Sequence, residues 1–99
     1  MTTIQEKILL HLYGQIGFGN SYEMPYETSQ PGIADAIGIA RSHVSIEMKK
    51  LETKGLVFHL PRHVKKDGNV RKNNVKCYRL NALGIAYTRD LMESMEAMP

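Results

Sequence analysis

Ser29-Gln30-Pro31-Gly32-Ile33-Ala34-Asp35-Ala36-Ile37-Gly38-Ile39-Ala40-Arg41-Ser42-His43-Val44-Ser45 is the stretch on which the fold of this chain turns. Ser29 carries the short hydroxyl side chain that satisfies a free N–H at a helix start, and Pro31 falls in the first turn, where a missing N–H costs nothing. Ile33, Ala34 and Ile37 recur on one side of that helix. Gly38 ends it, since the residue just past a helix often takes a positive φ. After Ile39 a second periodic segment runs from about Arg41 to Thr53, with Val44, Met48 and Leu51 on one face at i, i+4 and i+7. Lys54-Gly55 stops it with another glycine. The stretch reads as two helices joined by a tight turn, the second longer and polar on its outer side.

Upstream, Ile4, Ile8, Leu9, Leu12 and Ile16 recur at helical spacing, with Thr3 as the cap and an end near Gly14–Ile16. Gly17 to Ser21 break the pattern. Tyr22 to Thr28 read as irregular or as a short edge strand, because Pro25 has no N–H for a ladder. Downstream, Leu56–His63 and Val75–Leu80 are rich in β-formers, and Asp67-Gly68 between them is a hairpin signal. Asn81 caps a last helix from Ala82 to about Ala97. The expected fold class is mainly α with a small β-hairpin (α+β), in the order α-α-α-β-β-α. It forms one domain over 1–99, with the helix pair at about 29–54, the hairpin at about 56–80 and the C-terminal helix at about 82–97.

Composition narrows the function. The 99 residues are 42% hydrophobic and 23% charged, near the average for a soluble globular protein. Apolar runs such as Ile8-Leu9-Leu10 are far shorter than the roughly 18 residues a membrane span needs. The N-terminus has no signal-peptide pattern, so the expected location is cytoplasmic. A single cysteine, Cys77, builds no disulfide framework. The charge is uneven: residues 37–81 hold eleven Lys and Arg against three Asp and Glu, whereas the segments on either side are acidic. That distribution points to a polyanion met by the middle of the chain, or to a merely solvated basic face.

Catalytic patterns are weak. Gly17-Phe18-Gly19 lacks the lysine and the strand-to-helix context of a phosphate loop. No Ser-His-Asp or paired-carboxylate set gathers in one expected cleft, so no enzyme activity and no cofactor are expected. His59, His63 and Cys77 lack a fourth ligand for a tetrahedral zinc, and no metal is expected. Cys77 reads as a small core residue or as a sensor thiol.

The 29–45 stretch, its continuation Met48-Lys49-Lys50-Leu51-Glu52 with Lys54-Gly55-Leu56-Val57, and the closing Cys77-Tyr78-Arg79-Leu80-Asn81 with Gly84 together resemble the winged helix-turn-helix of MarR-type and related archaeal and bacterial regulators. The resemblance covers roughly residues 4–92. It implies sequence-specific binding of double-stranded DNA by a transcriptional regulator, with residues 41–50 of the second helix in the major groove. It implies Arg41, Ser42, His43, Ser45 and Ile46 against base edges or phosphates, and Lys49 and Lys50 as phosphate charges. Arg41 either forks to guanine or clamps a phosphate. The chain departs from the usual pattern at Ala40, where a capping hydroxyl is common, and at Ile46, where an arginine is common. Ile46 is left either to touch a thymine methyl or to be partly buried.

The hairpin is the second half of the implied footprint. Arg62, Lys65, Lys66, Arg71 and Lys72 lie on its two arms, suited to the backbone and the adjacent minor groove, or else simply blunting an edge strand. Leu83, Tyr87, Leu91 and Met95 form an apolar i, i+4 ladder on the last helix. The ladder either packs within the chain or, as the resemblance implies, joins a homodimer through the terminal helices. A protein-docking winged helix and an N-terminal DNA-binding module of a larger regulator are the alternative readings.

Overall fold

A computed structural model of the chain describes residues 3–18, 23–66 and 70–96; for Phe18, Glu23, Lys65, Lys66 and residues 70–74 it describes the backbone alone. The elements are α1 (Ile4–Tyr13), β1 (Glu23–Pro25), α2 (Gln30–Ile37), α3 (Arg41–Thr53), β2 (Val57–Lys66), β3 (Val70–Leu80) and α4 (Ala82–Glu96). Single 3-10 turns lie at Ile16–Phe18 and Tyr26–Thr28. This is the expected mainly helical α+β arrangement with one added strand.

Helices α1, α2 and α4 begin where the sequence provides a side-chain cap. Thr3 and Glu6 form a reciprocal capping box at α1, an arrangement that satisfies two otherwise free N–H groups. Ser29 accepts from the Gly32 N–H at α2. The Asn81 side chain accepts from the Gly84 N–H at 2.8 Å and donates to the Gly55 carbonyl, which ties the start of α4 to the end of α3. Ala40 makes no side-chain cap at α3, in keeping with its poor capping ability. Gly38 ends α2 at φ 72°, and only three residues, 38–40, separate α2 from α3.

The main core joins Ile8, Leu9 and Leu12 of α1, Ile33 and Ala34 of α2, and Val44, Met48 and Leu51 of α3 with Leu56, Val57, Tyr78 and Leu80. Burial of each large side chain of this kind stabilises by about 1.5–3 kcal/mol. The three helices and the base of the hairpin therefore form one packed body. A smaller cluster of Met24, Val64 and Cys77 sits where β1 meets the hairpin.

The sheet has the order β1-β2-β3. β1 pairs in parallel with β2, Glu23 opposite His63, so the short edge strand admitted for this segment is present. β2 and β3 pair antiparallel from Val57–Leu80 to Lys66–Val70, with a register shift between Arg62 and Val64. Here the structure corrects the sequence reading, which ends the first strand at His63 and starts the second at Val75. Lys, Arg and Asn are weak β-formers and hide the strand pattern, but backbone pairing does not depend on their side chains. The arms are ten and eleven residues long, about 33 Å of strand. The Asp67-Gly68 signal lies outside the described residues.

α4 differs from the other helices in how little of it is covered. Of its fifteen residues only Gly84 and Thr88 are buried. Thr88 satisfies its hydroxyl on the Gly84 carbonyl at 2.7 Å, and Arg89 reaches the Tyr13 hydroxyl of α1 at 3.0 Å. Leu83, Tyr87 and Met95 are 59%, 48% and 44% exposed, and Leu91 is half-buried. The ladder is thus left mostly outside the chain's own core. Among the described residues no helix is long and apolar enough to cross a membrane.

Candidate nucleic-acid interface

Helical periodicity sorts α3 into three sides. Val44, Met48 and Leu51 enter the core. Opposite them lie Ser42, Ile46, Lys49 and Thr53, all exposed, with Ser45 half-buried at their edge. Ile46 is 54% exposed, which decides its alternatives in favour of an outward methyl-rich group. Arg41 is exposed in the first turn of the helix, about a third of a turn round from this face, and Gln30 of α2 donates to its carbonyl oxygen at 3.5 Å. The helix therefore offers hydroxyls, an apolar tip and the Lys49 cation along one outer face, with the Arg41 cation at its N-terminal end, and is held rigid from behind.

The remaining side of α3 is built differently, and sequence reasoning missed it. Glu47 is buried against α1, and Gln5 Nε2 donates to its Oε2 at 3.0 Å. Lys50 Nζ lies 3.3 Å from Glu47 Oε1, and Lys54 Nζ donates to Gln5 Oε1 at 2.7 Å. His43 Nε2 is 3.9 Å from the same carboxylate. His43 and Lys50, expected with the DNA-facing set, thus stand on the α1-facing flank with Glu47 between them. A glutamate four residues after His43 and three before Lys50 was the available signal, because such spacings meet on a helix.

The Gln5 hydrogen bond, together with Lys50 and His43, holds the Glu47 carboxyl below the ordinary glutamate range against the opposing effect of burial. A carboxylate whose native pKa lies below its unfolded value contributes stability that is present above the unfolded value and lost as pH falls through the native one. Melting temperature is therefore expected to fall on acidification through and below the ordinary glutamate range. Glu47→Gln should flatten that decline, as followed by circular dichroism melts across pH. Parallel curves for the two proteins would show that the pair adds nothing to acid stability.

Strand alternation places the hairpin residues. His59 is opposite Tyr78 and Pro61 opposite Lys76, on the sheet face toward α3. Leu60 is opposite Cys77 and Arg62 opposite Val75, on the other face. Arg62 is half-buried there and donates to the Pro61 carbonyl at 2.8 Å. The structure thus separates Arg62 from the exposed face of α3. Lys65 pairs in register with Arg71, and Val64 with Lys72, so the backbone carries four of the expected basic residues to the outer part of the hairpin. Cys77 is fully buried beside Met24 and Val64, and burial pushes its thiol up, the setting of a small core residue. His59, His63 and Cys77 do not converge: among the described residues no group of three His, Cys, Asp or Glu gathers for a metal.

No protein-family model matches the chain, and no curated protein matches it. Solved structures do. A Staphylococcus aureus MepR–DNA complex superposes with a TM-score of 0.69 at 23% identity, over 98% of this chain and 68% of that one. The heme sensor protein PefR, in complex with heme and carbon monoxide, gives 0.70 at 20% identity, over 95% and 54%. The zinc-responsive MarR family member ZitR of Lactococcus lactis gives 0.64 at 21% identity, over 97% and 54%. The chain spans between about half and two thirds of the length of these proteins. Their likeness extends over nearly all of this chain, from α1 through the hairpin to α4, and the chain has their winged-helix fold.

Proposed function

We propose that the chain binds double-stranded DNA and acts as a transcriptional regulator, with α3 in the major groove and the hairpin on the backbone and adjacent minor groove. The observation that carries this reading is the outer side of α3, where Ser42, Ile46 and Lys49 are exposed with Ser45 at their edge and Arg41 exposed at the helix start, beside a hairpin whose outer arms are basic. The fold's likeness to a solved MepR–DNA complex supports it. The mechanism is association without covalent chemistry: phosphate contacts fix the register and base-edge contacts select sequence. Two copies joined through the exposed ladder of α4 would present two such helices about one DNA turn apart.

The test is fluorescence anisotropy with a labelled mixed-sequence duplex at several salt concentrations. A slope of log K against log salt equivalent to several phosphates is expected, at about 0.9 per phosphate. Arg41→Ala is expected to weaken binding by about tenfold. Lys49→Ala is expected to lower the slope by about one phosphate. Lys50→Ala should act less, because its amine already faces Glu47. A flat slope for the wild-type chain would overturn the reading in favour of a protein-docking winged helix.

A further inference from the structure

Between α3 and the hairpin runs a cleft of about 400 Å³, walled by Ser45, Lys49 and Glu52 on one side and by His59, Lys76 and Tyr78 on the other. Lys76 is exposed, and the strand alternation that buries Cys77 on one face of the sheet turns Lys76 toward α3 on the other. Among the described residues no ion pair engages Lys49 or Lys76. The one carboxylate in the cleft, Glu52, is occupied: its Oε2 lies 3.0 Å from His59 Nδ1. The His59 ring is in turn set edge-on to Tyr78, centroids 5.8 Å apart. The cleft therefore presents two ammonium groups engaged in no described ion pair beside the Ser45 hydroxyl, with its single negative charge turned to a histidine.

The ligand follows from the shape of a duplex. Adjacent major and minor grooves are separated by one sugar-phosphate ridge. A protein that places a helix in one groove and a hairpin in the next must receive that ridge between them. We infer that the cleft is a backbone-phosphate site, in which Lys49 and Lys76 hold from two sides the phosphodiester of the strand that divides the two grooves, with the Ser45 hydroxyl as a third donor. Lys76 belongs to no part of the interface assigned above. The site reads no sequence, because phosphates carry none; it fixes how deeply α3 is seated. The inference rests on the duplex-binding reading.

The experiment uses the full chain and the same labelled mixed-sequence duplex, titrated at several salt concentrations. Lys76→Ala is expected to weaken binding severalfold at low salt and to lower the magnitude of the salt slope by about 0.9 per protomer. Lys76→Arg should keep the slope, since it keeps the charge. Lys7→Ala, which removes an exposed charge on α1, should leave the slope unchanged and so measures the effect of net charge alone. Circular dichroism confirms that each variant is folded. A steep wild-type slope that Lys76→Ala leaves intact, or lowers no more than Lys7→Ala does, overturns the cleft site while duplex binding stands. A flat wild-type slope overturns duplex binding and the cleft site together.

Discussion

Gly32→Ala is expected to destabilise the fold by about 3 kcal/mol, at the upper end of what overpacking costs. Local propensity predicts the opposite sign: alanine in place of glycine within a helix gains about 1 kcal/mol. The tertiary structure decides otherwise. Gly32 is buried in the first turn of α2, and a Cβ there would fall on the carbonyl oxygen of Tyr26, 2.6 Å from its carbonyl carbon and 2.8 Å from Glu27 Cα. These are backbone atoms, so no side chain can rotate aside. The Tyr26 carbonyl also accepts from both the Ser29 N–H and the Ser29 hydroxyl. Moving it would break the turn that starts α2. In a domain of this size the expected loss corresponds to roughly 12–24 °C in Tm. Denaturant and thermal unfolding check it, and an unchanged or raised Tm would show that the 3-10 turn at Tyr26–Thr28 yields without cost.

Leu83→Glu combined with Tyr87→Glu is expected to convert a dimer into a folded monomer and to lower affinity for a duplex of about 30 bp by roughly a hundredfold, the scale of lost bivalency. Both side chains are about half exposed or more within the chain, so charge at these positions should leave the main core intact. Light scattering after size exclusion reads the mass. Anisotropy reads the affinity, and the salt slope per complex should halve. A wild-type chain that already runs as a monomer, or a double variant that remains a dimer, would remove α4 from the interface. Circular dichroism separates loss of association from loss of fold.

Much of the architecture is local and therefore legible in the amino-acid order. Thr3, Ser29 and Asn81 mark helix starts because their side-chain oxygens reach free N–H groups two or three residues ahead. Gly38 marks the turn between α2 and α3. The spacing of Val44, Met48 and Leu51 already determines which side of α3 is buried, and so leaves Ser42, Ile46 and Lys49 outside. The charge distribution along the chain points to the same middle segment. What the order of residues could not reveal depends on approach between distant segments. The pairing of β2 with β3 past Arg62 is a backbone match that polar side chains conceal. Glu47 looks like a solvated charge until Gln5, forty-two positions away, donates to it. Lys76 becomes a candidate phosphate ligand only when strand alternation turns it toward α3. Gly32 looks like a weak helix residue until the carbonyl of Tyr26 occupies the place of its missing Cβ. Caps, turns and periodic faces arise from neighbours within one or two helical turns, so the sequence by itself determined them. Buried polar pairs, close backbone approaches and clefts arise from elements that meet only after the core has formed, so the tertiary structure alone decided them.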